Sequence, residues 1–206
     1  MRIPRLIFSI PLLLSASVAN AHSFGAGTDL FAAFIEGAKV ILFEPITLFA
    51  CLSLGLLLTL WRANGLLVAL PYLIGSTIFG FLSATFAPTW TITALLIIGT
   101  INSALAALVR NNSQIVVITT SIATGILCQF VALEGHAWME LSAAIYLGLI
   151  IGTYFCVVAA SGLSQGLLER YNNAQWSRIT LKIVASWLAA MQILMFAFQF
   201  VEPVTS

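Results

Sequence analysis

Long apolar runs alternate with short polar connections along nearly the whole chain. The pattern predicts six membrane-crossing helices, at residues 40–61, 66–86, 91–109, 114–133, 140–168 and 179–201. Runs of about 20 apolar residues match the thickness of a bilayer's hydrocarbon core. The fifth run is longer than one crossing needs, which predicts tilt, a kink or continuation beyond the bilayer. Pro71 interrupts the second run; neighbouring helices, hydroxyls or water can satisfy the backbone groups that a membrane proline frees. Residues 23–39 are mixed instead. There Phe31, Phe34 and Ile35 recur at helical spacing, with Asp29 and Glu36 on other faces. That spacing predicts a short amphipathic helix lying at the membrane interface and leading into the first crossing.

The charges sort by side. Arg62, Arg110, Arg170, Arg178 and Lys182 fall at every second connection, whereas Asp29, Glu36, Glu134, Glu140 and Glu202, with Glu44, fall at or near the other ends. Lys39 is the exception. Cationic connections face the cytoplasm, so the acidic ends face outward and suit the handling of cations there. Trp90 sits in the turn between the second and third runs, a position for an aromatic anchor at headgroup level.

Composition changes the picture only by exclusion. Of 206 residues, 61% are hydrophobic and 7% charged, with a mean hydropathy of +1.07. Such a chain is no water-soluble globular domain; its first partner is the lipid bilayer. No basic surface suggests nucleic acid. Residues 1–21 read as a secretory signal: Arg2 and Arg5, an apolar core at 6–14, then Ala19-Asn20-Ala21 as a small-x-small cleavage site. Retention as an uncleaved anchor is the other reading. With cleavage, residues 22–206 form a single membrane domain in a bacterial inner membrane, with both mature termini outside.

Candidate chemistry is sparse. His22, as the new N-terminus, offers an amine and an imidazole, a pair that copper, nickel and cobalt favour; a solvated terminus is the plain alternative. His136 and Glu140, four residues apart, would share one helical face and offer nitrogen and oxygen to a divalent cation, or serve as ordinary loop polarity. Glu36 adds a carboxylate on the same side. Glu44 precedes Pro45 just inside the first run. It is either an intramembrane acid, functional by default, or a residue at the N-terminus of a helix starting with Pro45 in its first turn.

Within the runs, Asn102, Gln129, Gln165 and Gln192 suit interhelical hydrogen bonds. Cys51, Cys128 and Cys156 read as packing residues. Gly148/Gly152 and Gly162/Gly166, each pair four apart, and Gly75 and Gly80 read as close-packing surfaces. No nucleotide loop, Ser/His/Asp set or paired catalytic carboxylates is visible, so the expected class is not an enzyme and no tightly bound cofactor is expected.

Several segments together resemble the HupE/UreJ family of hydrogenase and urease accessory membrane proteins. They are Ala21-His22-Ser23-Phe24-Gly25, the Ala69-Leu70-Pro71 of the second run, and Gly135-His136-Ala137 with Glu140-Leu141 and Tyr146-Leu147-Gly148. The resemblance covers nearly the whole mature chain. It implies secondary uptake of a divalent transition metal, nickel or cobalt, without ATP hydrolysis, and it places His22, His136 and Glu140 in matching positions; with Glu36 and Glu44 from the residue reading, these are the metal-ligand candidates. The family's first-span His-Pro-x-x-Gly-x-Asp-His has no counterpart at 40–47, where Glu44-Pro45 stands instead. Trp138 stands where the family's loop has a second histidine. The alternative function is a non-transporting membrane partner that anchors or assembles a metalloenzyme or redox complex.

Overall fold

A computed structural model describes residues 29–108, 112–136 and 140–200. Within them the chain is an all-α membrane helix bundle. Its helices are α1 (Leu30–Phe43), α2 (Pro45–Trp61), α3 (Gly65–Ser83), α4 (Thr91–Leu108), α5 (Gln114–Ala132), α6 (Ala143–Arg170) and α7 (Gln175–Phe198), with a short 3-10 turn, Ala84–Phe86, after α3. The last five α-helices are each long and apolar enough to cross a membrane. α1 and α2 pass that test only as a pair bent by 72°, which is the form of a broken crossing or of a re-entrant loop. The signal segment, His22, Arg110, Trp138 and Glu202 lie outside the described residues.

Two sets of contacts fix opposite ends of the bundle. At one end, Trp61 Nε1 donates to Asn112 O (2.9 Å), the Arg62 guanidinium lies 3.5 Å over the Trp61 ring, and Arg62 Nη2 donates to Gln114 Oε1 (3.2 Å). At the other, Phe81 and Tyr146 stack with centroids 4.7 Å apart and Thr93 Oγ1 donates to Gln199 Oε1 (2.9 Å). Successive crossings therefore run in alternate directions. Arg62, Arg170 and Arg178 gather at the first end; Glu134 and Glu140 belong to the second. The charge sorting read from the sequence is thus a property of the two ends of one bundle.

α2 is the central helix. It is buried along most of its length, with Cys51, Leu54, Leu57 and Leu58 fully enclosed. The outer helices turn large apolar side chains outward, among them Phe155, Leu163, Ile183 and Trp187. That arrangement suits lipid, and it leaves helix association to close packing at small residues. Gly55 lets Ala160 and the Val157 carbonyl approach; a Cβ there would sit 2.6 and 2.9 Å from them. Gly80 does the same against the backbone of Ile126.

α1 packs chiefly along α6, burying Ala33, Gly37 and Ile41. Gly148 and Gly152 face it directly: a Cβ on Gly148 would lie 2.9 Å from Ala38 N, and one on Gly152 would lie 3.2 Å from Ala38 Cα. The second pair, Gly162 and Gly166, faces open space, as does Gly75. The same four-residue spacing is a packing surface in one place and not in the other.

Several expectations need correction. The first crossing does not run unbroken from residue 40; α1 continues to Phe43 and the chain breaks at Glu44, because Pro45 cannot continue α1's hydrogen bonding. The fifth helix begins at Ala143 and runs 28 residues without a break, about 42 Å at 1.5 Å per residue. The sixth begins at Gln175, not 179. The connection expected at 169–178 accordingly shrinks to a four-residue turn, because the helices extend through polar residues beyond the apolar runs.

That turn is built by two asparagines with positive φ, Asn172 (50°) and Asn173 (55°). Asn172 N donates to Glu169 O (3.1 Å) and Asn173 N to Leu168 O (2.7 Å), closing the C-terminus of α6. Asparagine tolerates this left-handed region better than most side chains. Asn173→Ala is expected to destabilise the protein by about 1 kcal/mol, and Asn173→Gly to be neutral or stabilising. Thermal unfolding of the purified protein in detergent measures both. Equal midpoints for the two variants would remove the conformational argument.

Candidate functional site

The break in the first crossing is the most distinctive local structure. Glu44 is extended (φ −76°, ψ 116°), as a residue before proline tends to be. Pro45 then opens α2 at its first turn, where a missing N–H costs nothing. The carbonyls left over at the end of α1 are met by Thr47. Its Oγ1 lies 3.1 Å from Ile41 O, 3.1 Å from Glu44 O and 3.4 Å from Val40 O. One hydroxyl proton serves one of these acceptors at a time.

Glu44 is half-buried, and its side chain caps neither helix. Both readings of Glu44 meet here. It occupies the N-cap position of α2, where the positive end of the helix dipole favours a carboxylate. It also sits at the 72° bend between α1 and α2. Broken membrane helices are where ion and substrate sites are commonly built.

Inward of the break, polar and soft side chains continue along the core. Thr47 and Cys51 are one helical turn apart on α2. Cys51 Sγ lies 3.7 Å from Cys128 Sγ of α5, and Cys156 Sγ of α6 lies 3.9 Å from Leu48 O. Gln129 Nε2 donates to Thr153 Oγ1 (3.1 Å), bridging α5 and α6. Asn102 Nδ2 donates to Thr124 Oγ1 (3.0 Å), bridging α4 and α5. Gln192 Nε2 donates to Phe49 O (3.3 Å) and Ser103 Oγ (3.4 Å), tying α7 to α2 and α4.

These three amides are at most 1% exposed. They make the interhelical bonds that their positions in the apolar runs led one to expect. The fourth residue of that set does not: Gln165 is half-buried near the end of α6 and donates within its own helix to Glu169 Oε1 (2.9 Å).

Asn102 Oδ1, Gln129 Oε1 and Gln192 Oε1 are each buried with no hydrogen-bond partner among the described residues. A buried unsatisfied acceptor costs about 1–3 kcal/mol. Three in one bundle interior call for an explanation, and oxygen ligands for a cation or for water are one.

The acidic end of the bundle holds the remaining candidates. α5 stops at Ala132, Gly135 turns the chain with φ 82°, and His136 N donates to Leu133 O (3.1 Å). His136 Nδ1 lies 3.3 Å from Glu134 O. His136 and Glu140 lie between α5 and α6, on either side of residues 137–139, which lie outside the described residues. Glu36, on α1, comes to the same end because α1 packs beside the first turns of α6.

Glu36, Glu44, His136 and Glu140 thus lie toward the acidic end of the bundle, on α1, at the α1–α2 break and between α5 and α6. Among the described residues no group of three or more His, Cys, Asp or Glu side chains is placed to hold a metal ion. Thr47 and the meeting of the cysteines escaped the sequence reading. The spacing Pro45-x-Thr47 was a signal for the first, since a hydroxyl two residues after a proline can reach back to the freed carbonyls. No family model, characterised protein or solved structure matches the chain.

Proposed function

We propose that this protein is a secondary permease for a divalent transition-metal cation, nickel or cobalt by its resemblance to the HupE/UreJ family, with its acidic end facing outward from a bacterial inner membrane. The observation that carries this reading is the break at Glu44–Pro45: a half-buried carboxylate at the corner of a split crossing, with a polar core directly inward of it.

In this reading the cation is attracted to the outer end by Asp29, Glu36, Glu134 and Glu140, with His136 contributing a nitrogen. It then exchanges onto Glu44. The unpartnered oxygens of Gln129, Asn102 and Gln192 offer neutral ligands further in. Conduction needs binding strong enough to admit an ion and weak enough, over several sites, to release it. A dispersed set of one- and two-ligand stations suits that requirement better than one closed shell.

Glu44→Gln tests it. Uptake of radioactive nickel or cobalt by cells expressing the protein is expected to fall at least tenfold, with the amount of protein in the membrane unchanged. In the same assay, His136→Ala and Glu140→Ala are expected to raise the half-saturating concentration several-fold. Wild-type uptake by Glu44→Gln would reduce the break to a structural feature.

A second reading, a non-transporting partner in the maturation of a metalloenzyme or redox complex, is favoured by the lack of histidine and aspartate at 40–47. Deletion separates the two. Loss of a permease lowers cell metal content, whereas loss of a partner leaves it intact and lowers enzyme maturation alone.

A further inference from the structure

We propose that Cys51 and Cys128 form a buried two-sulfur site for a soft monovalent cation of the Cu(I) type, with Cys156 as a supporting thiol. The inference is independent of the transport reading.

The sulfurs come from separate helices, α2 and α5, and meet in the bundle core. Both residues are fully buried. Their Sγ atoms are 3.7 Å apart. With thiolate–metal bonds of about 2.3 Å, two sulfurs at that spacing subtend an angle of about 107° at a shared ion. Opening the pair by less than 1 Å brings it to the near-linear arrangement, about 4.6 Å across, at the same bond length. Small rotamer adjustments of two cysteines cover that difference, and no helix need move.

The surroundings select for softness. Thiolate and thioether ligands favour Cu(I) over hard cations, and carboxylate, carbonyl and water ligands favour the reverse. Among the described residues no carboxylate or imidazole is grouped with these thiols. Leu54, Leu73, Leu149 and Val157 belong to the same core cluster as the cysteines. A two-coordinate ion needs no further ligand and no water, so a dry site can hold it. Nickel and cobalt, which need more ligands of harder character, would find too few here.

Cys156 supplies what a bare pair lacks. It lies within interaction range of Cys51, and its Sγ approaches Leu48 O. Binding is an exchange of ion for proton. One Cu(I) joining two thiols with loss of one thiol proton leaves a neutral site, one thiolate and one thiol sulfur on the metal. Loss of the second proton leaves one negative charge, which an S–H donor from Cys156 can stabilise. A charge deep in a membrane bundle is costly, so the first exchange is the dominant one near neutral pH. Thr47 stands one turn from Cys51 on the same face of α2, between the cysteine pair and the break at Glu44.

The test uses the full purified chain, reduced and under anaerobic conditions in detergent, titrated with Cu(I) against a chromophoric Cu(I) chelator. The wild type is expected to withdraw one Cu(I) per chain, with affinity rising about tenfold per pH unit as one proton is displaced. Cys51→Ser and Cys128→Ser are each expected to weaken binding at least a hundredfold, and Cys156→Ser by about tenfold or less.

Where a serine variant fails to fold, as judged by its elution and thermal midpoint, the Cys51→Ala and Cys128→Ala proteins carry the same measurement. A wild type that takes no copper from the chelator overturns the proposal. So does a Cys51→Ser/Cys128→Ser double variant that binds like the wild type. Glu44→Gln is expected to leave equilibrium Cu(I) binding unchanged, so failure of the uptake prediction and failure of this one are separate results.

Discussion

A leucine at position 148 is expected to cost the protein its packed first crossing, lowering stability by about 3 kcal/mol or more. Any Cβ at Gly148 would run into the Phe34 carbonyl oxygen and lie 2.9 Å from Ala38 N and 3.1 Å from Gly37 Cα. All three are backbone atoms of α1, so no rotamer change relieves the contact. The two helices must part. Overpacking in a well-packed core costs about 1–3 kcal/mol, occasionally more; here the displaced unit is a whole helix whose other buried residues, Ala33 and Ile41, lose their neighbours as well.

For a chain of this length about 3 kcal/mol corresponds to a fall of about 6–12 °C in the unfolding midpoint. Gly162→Leu, on the same helix, is the control. It meets nothing within 4 Å and is expected to shift the midpoint by less than about 2 °C, as unconstrained surface substitutions do. Equal midpoints for the two leucine variants would show that the α1–α6 contact holds little of the fold together. The Gly148→Leu protein also reports on the site, because α1 forms one wall of the corner at Glu44.

The crossings were legible because their signal is one of length: an apolar run of sufficient extent has few other solutions in water or lipid. The sorting of charges was legible for a related reason, since each connection lies at one end or the other. What depends on rotation about a helix axis was not. Gly148/Gly152 and Gly162/Gly166 look alike as text, and only the direction each pair faces separates a helix contact from open space. Cys51, Cys128 and Cys156 sit in three different runs, and their meeting depends on the depth and rotation of all three helices at once.

Helix ends were the other weak point. Polar residues at 169–178 suggested a long connection, but lipid-spanning helices extend into the headgroup region, and Asn172-Asn173 closes the turn in four residues. Glu44-Pro45 was read in two ways because sequence does not mark where hydrocarbon begins. The break lies at the N-terminus of α2, yet α1 carries an apolar helix up to its other side.

Gln129→Leu is expected to produce a protein that is more stable and transports less. Gln129 is fully buried; its amide N–H donates to Thr153 Oγ1, which itself donates to Leu149 O (3.0 Å). Leucine loses that interhelical bond, worth about 0.6 kcal/mol in membrane bundles. It also removes the unpartnered Oε1, whose burial costs about 1–3 kcal/mol. The second term is the larger, so the unfolding midpoint should rise, by about 2–4 °C for a net gain near 1 kcal/mol.

If Oε1 is a station for a passing cation, nickel or cobalt uptake falls at least tenfold in the same variant, and the native glutamine is a case of stability given up for function. The sign of the midpoint shift is decisive on its own. A fall would mean that a buried water already satisfies the oxygen in the folded protein, leaving no orphaned acceptor for an ion to claim. A rise with uptake intact would mean that the amide serves only to hold α5 against α6, and the path inward from Glu44 would have to run without it.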